Sequence, residues 1–234
     1  MIRKVDDIAR LDIFREFRSG KPEAIFAQGK SVDQLIKIVK TYLEHKESVL
    51  VTRLSDYQID ALKDNFDEIY VNEVGRIAVV GKKAVDLKEG KTEGIGKTAI
   101  FTGGTSDIPV AEEASTTAMF LGLEVLKFYD VGIACIYRLV EPLRRVKEED
   151  VDSIIAVAGM EGALPSILAG LVDVPIIAVP TSIGYGVNLG GITTLFSMLL
   201  NCSSGVAVVN IDNGFGAGVF AYLISRTRRR STHD

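Results

Sequence analysis

The sequence predicts an α/β protein whose larger part is a three-layer, doubly wound parallel sheet. From Thr98 onward, short apolar stretches alternate with segments of helical periodicity, and glycine-containing turns join them. This alternation is typical of a parallel sheet with helices on both faces. With 47% hydrophobic and 25% charged residues, the chain has the composition of a globular protein with a buried core.

The apolar runs of the larger part predict five strands, and the periodic segments between them predict four helices. We place the strands at residues 98–104, 131–137, 152–158, 175–181 and 206–211, and the helices at residues 109–123, 164–172, 190–201 and 216–228. Together with the polar segment ahead of them, they predict a catalytic domain over residues 96–234.

The first 95 residues predict a small N-terminal α/β domain of their own. We expect helices at residues 7–17, 32–45 and 56–65, strands at residues 24–27, 48–52, 68–71 and 76–80, and an exposed linker at residues 82–97. Ser31 is the expected N-cap of the second helix. About 80 residues of this kind are too few for elaborate catalysis without a second domain.

Charge and residue counts exclude several classes of function. The net charge of −4 provides no basic field for nucleic acid. Prolines, glycines and an aspartate interrupt the most apolar segments, so no membrane span is expected and the chain is predicted to be cytoplasmic. There are only two histidines, His45 and His233, and neither is placed for catalysis. Acid–base chemistry must then come from carboxylates, lysine, cysteine or water.

Ligands of open parallel sheets bind at the carboxyl ends of the strands. That rule selects five loops as candidate ligand contacts: residues 103–107, 137–142, 158–163, 181–191 and 210–218.

The first of these loops, GGTSDIP at residues 103–109, joins a strand to a helix. Its glycines allow a ligand to approach the backbone, and helix-start amides attract phosphate. Gly104, Ser106 and Asp107 are therefore candidates for binding a sugar or a phosphate. Helix capping by Ser106 or Asp107 explains the same residues equally well.

The loop AGMEGALP at residues 158–165 places a single carboxylate, Glu161, between two glycines at a strand end. An acid in a glycine-lined pocket suits a general base or a metal ligand, and Gly159 would let a ligand approach. A charge that favours the start of the following helix is the alternative.

The last glycine-rich loop, residues 210–218, contains Asp212 and Asn213 but is not a dinucleotide-binding fingerprint. That fingerprint requires a further strand and an acidic residue about 20 positions later, and only 16 residues remain. A ligand contact and tight backbone packing explain its glycines equally well.

The two cysteines lie in different surroundings. Cys202 follows an apolar helix and is surrounded by small polar residues, whereas Cys135 lies within an apolar run and is expected in the core. A free cysteine is usually a small buried hydrophobic residue, so composition alone assigns a catalytic role to neither of the two cysteines.

The segments GGTSDIPVAEEA, AGMEGALPS, RSGKPEAIFAQGK and the long stretch from PTSIGYGVNLGG to NIDNGFGAG resemble the LarB family over nearly the whole chain. That family is pyridinium-3,5-biscarboxylic acid mononucleotide synthase, which acts first in nickel-pincer cofactor biosynthesis. The broader resemblance is to PurE, a flavodoxin-like carboxylase or mutase of aminoimidazole ribonucleotide. PurE shares the Ser106-Asp107 turn and Arg138, but it has a catalytic histidine where this chain has Ala163. Tyr137 departs from the LarB pattern, which often has histidine there.

The resemblance implies carboxylation of nicotinic acid adenine dinucleotide at C5 of its pyridinium ring by CO2 or bicarbonate, and hydrolysis of its phosphoanhydride to release AMP. It implies Cys202 as the nucleophile and Glu161 as the base. It also implies Mg²⁺ and a homo-oligomer of up to eight subunits. The implied substrate-binding residues are Gly104, Ser106, Asp107, Arg138, Gly159, Gly184, Asp212 and Asn213.

Two other hypotheses compete with this one. The first is a PurE-type carboxylase or mutase, which Ala163 disfavours. The second is a module that binds a nucleotide without catalysis, in which case Cys202 would be unreactive.

Overall fold

The structure is a computed structural model that describes residues 2–231, so His233 lies outside the described residues. The chain forms two compact units, Met1–Lys91 and Thr92–Asp234. Among the described residues, no helix combines the length and the apolar character that a membrane span requires.

The first unit contains a four-stranded mixed sheet and a separate hairpin. Its elements are β1 (Ile2–Val5), β2 (Ala9–Asp12), α1 (Arg15–Ser19), β3 (Ala24–Phe26), α2 (Val32–Leu43), β4 (Ser48–Thr52), α3 (Asp56–Asn65), β5 (Ile69–Asn72), β6 (Ile77–Gly81) and α4 (Lys82–Lys88). The sheet has the order β3-β4-β6-β5, in which only β3 and β4 are parallel. Ser31 caps α2 with a capping box, as expected, and Ser55 caps α3 in the same way.

The helix predicted over residues 7–17 is wrong up to residue 14, and only residues 15–17 of it are helical, within α1. Asp6 adopts a left-handed conformation, with φ of 46°, and closes a turn in which Ile8 N donates to Val5 O. The segment therefore folds back as the antiparallel pair β1–β2. Leu11 is buried in the core, where Ala9 and Ile13 pack beside it, which is the two-residue period of a strand.

Residues 82–88 are helical and not part of a linker. Gly81 has φ of 95°, and a Cβ at this position would lie 2.2 Å from Glu47 O. Glycine therefore permits a sharp turn from β6 directly into α4. Ala84 on this helix is fully buried, which a sequence rich in lysine conceals.

The second unit is a five-stranded, all-parallel sheet flanked by helices. Its elements are β7 (Gly96–Thr102), α5 (Ile108–Phe120), β8 (Leu123–Phe128), α6 (Val140–Glu148), β9 (Ser153–Ala158), α7 (Leu164–Ala169), β10 (Ile176–Pro180), α8 (Ile192–Leu199), β11 (Val206–Val208) and α9 (Gly214–Ser231). The strand order β8-β7-β9-β10-β11 is that of a flavodoxin-like, doubly wound sheet. The predicted fold class is confirmed.

Two separate cores lie on the two faces of this sheet, because successive strand residues point to opposite sides. Ile100 packs with alanines of α5 and α9. Its neighbour Phe101 packs on the opposite face with Leu139, Leu164 and Met198, from the side of α6, α7 and α8. These two helical layers and the sheet are the three predicted layers.

The strand predicted over residues 131–137 is wrong. The second strand of the unit is β8, an edge strand that pairs in parallel with β7, and residues Ile133–Leu139 form a 3-10 turn. Val131 and Leu139 anchor this turn in the core, while Cys135 and Tyr137 are exposed. The apolar run therefore crosses the surface, and the prediction of Cys135 as a core residue is also wrong.

This correction moves one of the five candidate loops. Because β8 ends at Phe128, the chain leaves the carboxyl edge of the sheet at residue 129 and not at residue 137. The prediction of residues 137–142 as the turn at a strand end is wrong. Arg138 lies ten residues beyond β8, within the 3-10 turn.

Candidate active site

A cavity of about 480 Å³ lies at the carboxyl edge of the second unit. The turns after β7, β8, β9 and β10 contribute to its wall, and it contains the point between β7 and β9 where the strand order reverses. Ligands of doubly wound sheets bind at such a switch point. The lining residues are Gly103, Gly104, Ser106, Asp107, Gly132, Ile133, Ala134, Ala158, Gly159, Met160, Glu161, Ala163, Leu164 and Ile183.

Five of the predicted site residues meet in this cavity: Gly104, Ser106, Asp107, Gly159 and Glu161. The position that distinguishes the chain from PurE, Ala163, is also in the wall, immediately before α7. The charged side chains among the described lining residues are Asp107 and Glu161, and none of these lining residues is a lysine, arginine or histidine. The cavity therefore has the electrostatic character that attracts a cation.

Asp107 connects three of the turns that form the cavity. Its side chain is 4% exposed. One carboxylate oxygen accepts a hydrogen bond from Thr181 Oγ1 at 2.8 Å, and the other accepts one from Gly104 N at 2.9 Å. The Gly159 backbone donates a further bond. Asp107 thus holds the turns after β7, β9 and β10 together.

Burial raises the pKa of the Asp107 carboxyl above its usual range. Hydrogen bonds from Thr181, Gly104 and Gly159 lower this pKa, and the negative charge of Asp212 raises it. The balance is a pKa above the ordinary value of 3.8. Ionising this carboxyl therefore costs the folded state more than the unfolded chain.

Replacing Asp107 should separate its charge from its hydrogen bonds. With the native aspartate, the contribution of Asp107 to the free energy of unfolding should fall as pH rises from about 3.8 through the raised pKa, because the folded state holds the proton more tightly. Asp107→Asn should remove this fall because an amide does not titrate. The amide can still donate to Thr181 Oγ1 and accept from Gly104 N. Asp107→Ala should lower the free energy of unfolding by about 1–3 kcal/mol, because Thr181 Oγ1 and the backbone amides of Gly104 and Gly159 lose their acceptor.

Urea denaturation at a series of pH values measures both effects. An Asp107→Asn protein that kept the native pH dependence would contradict the assignment of the raised pKa to this carboxyl.

The turn after β9 brings Glu161 to the cavity in an unusual backbone conformation. Met160 has φ of 53° and Gly162 has φ of 64°. A Cβ at Gly159 would lie 2.3 Å from Ile183 O, so glycine is required for the close approach of the turns after β9 and β10. Glu161 itself is exposed. Within the described part of the chain, no group donates a hydrogen bond to its carboxylate.

Four predicted binding residues lie outside the cavity wall. Arg138 is half-exposed, and its guanidinium donates to the Asp130 carbonyl and carboxylate at 3.0 Å. Gly184 follows the lining residue Ile183. Asp212 accepts from Ser182 N at 2.8 Å, and Asn213 accepts from Gly216 N at 2.8 Å near the start of α9.

The glycines of the last loop serve close helix packing. A Cβ at Gly214 would lie 2.3 Å from Val110 O, and a Cβ at Gly218 would lie 2.7 Å from Ala114 O. The start of α9 therefore rests directly on the backbone of α5. This contact accounts for these two glycines without a ligand.

Cys202 does not line the cavity. It lies in the turn between α8 and the amino end of β11, and it is exposed. Its neighbour Ser203 donates from Oγ to Ser166 O at 3.0 Å, and Ser166 lies in the first turn of α7. The turn that contains Cys202 is thus bonded to α7, the helix that follows the Glu161 turn.

Sequence reasoning missed three buried polar residues that shape the site: Thr181, Asn188 and Thr194. Thr181 bonds to Asp107, while Thr194 bonds to Met160 O and lies 3.0 Å from Asn188 Oδ1. The position of Thr181 directly after a buried strand was a usable signal. Asn188 and Thr194 gave no signal, because their partners are defined only by the folded chain.

Comparison with known proteins agrees with this geometry. Residues 3–82 match the LarB/PurE-like N-terminal domain, and residues 97–234 match the AIR carboxylase domain. An uncharacterised protein of Methanocaldococcus jannaschii is 47% identical over 231 residues, covering 95% of this chain and 86% of its own length.

About half of the chain is also similar to two enzymes named N5-carboxyaminoimidazole ribonucleotide mutase. The one from Methanocaldococcus jannaschii is 33% identical, over 53% of this chain and 76% of its own length. The one from Thermotoga maritima is 29% identical, over 55% of this chain and 74% of its own length. These matches indicate an enzyme of the carboxylase and mutase class. The chain therefore belongs to the LarB family, with a LarB/PurE-like N-terminal domain followed by a PurE-like AIR carboxylase domain.

Proposed function

We propose that the protein carboxylates the pyridinium ring of nicotinic acid adenine dinucleotide at C5 and hydrolyses the phosphoanhydride. The products would be pyridinium-3,5-biscarboxylic acid mononucleotide and AMP, for nickel-pincer cofactor biosynthesis. The carboxyl group would come from CO2 or bicarbonate.

The charge of the cavity is the observation that carries this proposal. Asp107 and Glu161 are its charged side chains, and its described wall contains no basic residue. A pyridinium ring carries a positive charge and is stabilised near carboxylates. The imidazole ring of an aminoimidazole ribonucleotide has no such fixed charge, so this cavity favours the pyridinium substrate.

A pyridinium carbon is electron-poor and cannot attack CO2 until the ring accepts an electron pair. In the proposed reaction the Cys202 thiolate adds to C4 and forms a neutral dihydropyridine whose C5 is nucleophilic. C5 then forms a bond to CO2, Glu161 removes the C5 proton, and the thiolate leaves with the electron pair of the C4–S bond. The ring is restored as a pyridinium with one additional carboxylate.

The exposure of Cys202 and the attachment of its turn to α7 support its role as this nucleophile. The thiol lies outside the cavity wall in a single chain without substrate. The proposal therefore requires the pyridinium ring to bind at the edge of the cavity, between the Glu161 turn and the turn at residues 200–205.

The expected Mg²⁺ has no protein cage among the described residues. They contain no group of three or more histidine, cysteine, aspartate or glutamate side chains that could hold a metal ion. Both oxygens of Asp107 already accept hydrogen bonds. Mg²⁺ is often held by substrate phosphates, so we propose that it enters with the pyrophosphate, and no residue of this chain is assigned to it.

An aminoimidazole ribonucleotide mutase is the second candidate, and the similarity to two enzymes of that name favours it. Ala163 in the cavity wall weighs against it. PurE enzymes carry their catalytic histidine at this position, and a methyl group cannot transfer a proton.

We also propose that the chain forms a homo-oligomer of up to eight copies. The apolar side chains of Phe196, Leu199 and Leu200 on and after α8 are between 58% and 84% exposed, which is typical of surfaces that other subunits cover. Sedimentation velocity measures the size of the assembly.

A labelling experiment tests the function. Protein incubated with nicotinic acid adenine dinucleotide, Mg²⁺ and ¹³C-bicarbonate should yield AMP and a mononucleotide that contains one labelled carboxyl group, as detected by mass spectrometry. Conversion of an aminoimidazole ribonucleotide in a parallel reaction, with no product from the dinucleotide, would favour the mutase. Binding of the dinucleotide without any product would favour the non-catalytic module.

A further inference from the structure

We infer that Thr194, Ser197 and Ser203 are positioning residues that hold the Glu161 turn and the Cys202 turn in a fixed relation within one chain. The inference concerns the same site and rests on the proposed function. All three side chains belong to the segment from α8 to β11, and all three hydroxyls donate to backbone carbonyls of residues 160–166.

Two of these bonds fix the backbone on both sides of Glu161. Thr194 Oγ1 donates to Met160 O, and Ser197 Oγ donates to Glu161 O at 2.6 Å. The first carbonyl belongs to the peptide group before the Glu161 Cα, and the second belongs to the peptide group after it. Holding both peptide planes restricts φ and ψ of Glu161, so only the side-chain torsions remain free.

The Glu161 carboxylate depends on this restraint because no described group donates a hydrogen bond to it. Its direction into the cavity is set by the backbone from which it projects. That backbone includes Met160 in a left-handed conformation, which a non-glycine residue adopts only when its surroundings require it. Thr194 is fully buried beside this residue, and Asn188 fixes it further by contact at 3.0 Å.

The third bond connects the thiol to the same arrangement. Asn201 Oδ1 accepts from Ser203 N at 2.8 Å and closes the turn around Cys202. The Ser203 hydroxyl then attaches this turn to Ser166 of α7 at 3.0 Å. The proposed base and the proposed nucleophile are therefore carried by two segments that three side-chain bonds join.

The same bonds could serve folding alone, and α8 contains a matched control for that explanation. Thr193, next to Thr194, donates from its hydroxyl to Val187 O, outside residues 160–166. Thr193→Val removes a bond of the same kind from the same helix. If the bonds act only on stability, Thr193→Val and Thr194→Val should change the kinetics equally little.

We expect Thr194→Val and Ser197→Ala each to lower kcat for nicotinic acid adenine dinucleotide by about 10- to 100-fold, the range that follows from a small misplacement of a reacting group. KM should change little, because the lining residues remain. Thr194→Ser should restore kcat, since it restores the hydroxyl. Thr193→Val should retain the native kcat, and kcat values that match this control in both variants would overturn the inference.

Ser197→Ala keeps the test valid if Thr194→Val fails to fold, because Ser197 is exposed. Hydrogen exchange provides a readout that does not depend on turnover. The backbone amides of residues 160–162 should exchange faster in Ser197→Ala and Thr194→Val than in Thr193→Val. Equal exchange would overturn the inference, whereas failure of the native protein to carboxylate the dinucleotide would overturn the proposed function alone.

A second pair of variants tests the bond from Ser203 Oγ to Ser166 O, which attaches the Cys202 turn to α7. Ser203→Ala should change the rate at which Cys202 reacts with iodoacetamide, whereas Ser204→Ala, at the exposed neighbouring position, should not. Equal rates in the two variants would remove Ser203 from the set of positioning residues.

Discussion

Cys202→Ala should abolish carboxylation of nicotinic acid adenine dinucleotide, whereas Cys135→Ala should leave it unchanged. Without the thiolate, C5 of the pyridinium never becomes nucleophilic and no bond to CO2 can form. Loss of an enzyme nucleophile lowers kcat by a factor on the order of 10⁶, so product should fall below detection. Mass spectrometry of the labelled mononucleotide measures the effect.

Cys135 is a suitable control because it is also a free, exposed cysteine of the same unit. It lies next to the lining residues Ile133 and Ala134, so its replacement also tests whether any small change near the cavity reduces activity. Circular dichroism checks that both variants fold. Native turnover by folded Cys202→Ala would exclude the covalent mechanism.

Alkylation adds a direct test of the thiol. Iodoacetamide should modify Cys202 in the free protein, and bound dinucleotide should slow that modification because the ring then lies beside the thiol. A rate of Cys202 modification that bound dinucleotide does not change would support the non-catalytic module.

Glu161→Gln should lower kcat by about 10²- to 10⁴-fold, the range for loss of a general base. Glutamine has nearly the same shape but cannot accept the C5 proton. Since proton removal follows formation of the C4–S bond, a substrate adduct on Cys202 should accumulate. Mass spectrometry of the intact protein should detect this adduct together with the loss of turnover.

The matched control is Glu148→Gln, which removes an exposed carboxylate of α6 that bonds to Arg144 and does not line the cavity. It should retain the native kcat. A Glu161→Gln protein with kcat within about twofold of native would exclude this residue as the base, since a general base is worth far more.

A mixed assembly of Cys202→Ala and Glu161→Gln chains tests whether the two residues act within one chain. The bonds from Ser197 to the Glu161 turn and from Ser203 to α7 connect the two segments in a single chain. Co-expressed variants should therefore remain inactive. Recovery of activity would mean that one subunit supplies the thiol and another the carboxylate.

The fold of the second unit was predictable because its central strands are short apolar runs bounded by glycine or proline. Residues 152–158 and 175–181 gave clear signals, and β9 and β10 are fully buried there. The edge strand β8 was missed because its outer positions include Glu124 and Lys127. The hairpin of β1 and β2 was missed because Asp6 adopts a left-handed conformation and makes a turn, just where the sequence predicts that a helix begins.

The site was predictable wherever a polar residue lies within five positions after the end of a buried strand. Ser106, Asp107 and Glu161 satisfy that rule and share the cavity. The bonds that fix them do not follow from local sequence. Thr181 is 74 residues from Asp107, and Ser197 is 36 residues from Glu161, so each pair is defined only when parallel strands and helices are in place.

The bonds of Asp107 divide the cavity into a fixed part and a replaceable part. The turns that Asp107 connects belong to the folded core, so changes there alter stability as well as binding. Ala134 and Ala163 also face the cavity, but their methyl groups make no hydrogen bonds. Single replacements at these two positions can alter which ring fits and which proton moves while the Asp107 bonds persist. Enzymes of this fold can therefore acquire new substrates and new reactions while they keep the Ser106-Asp107 turn.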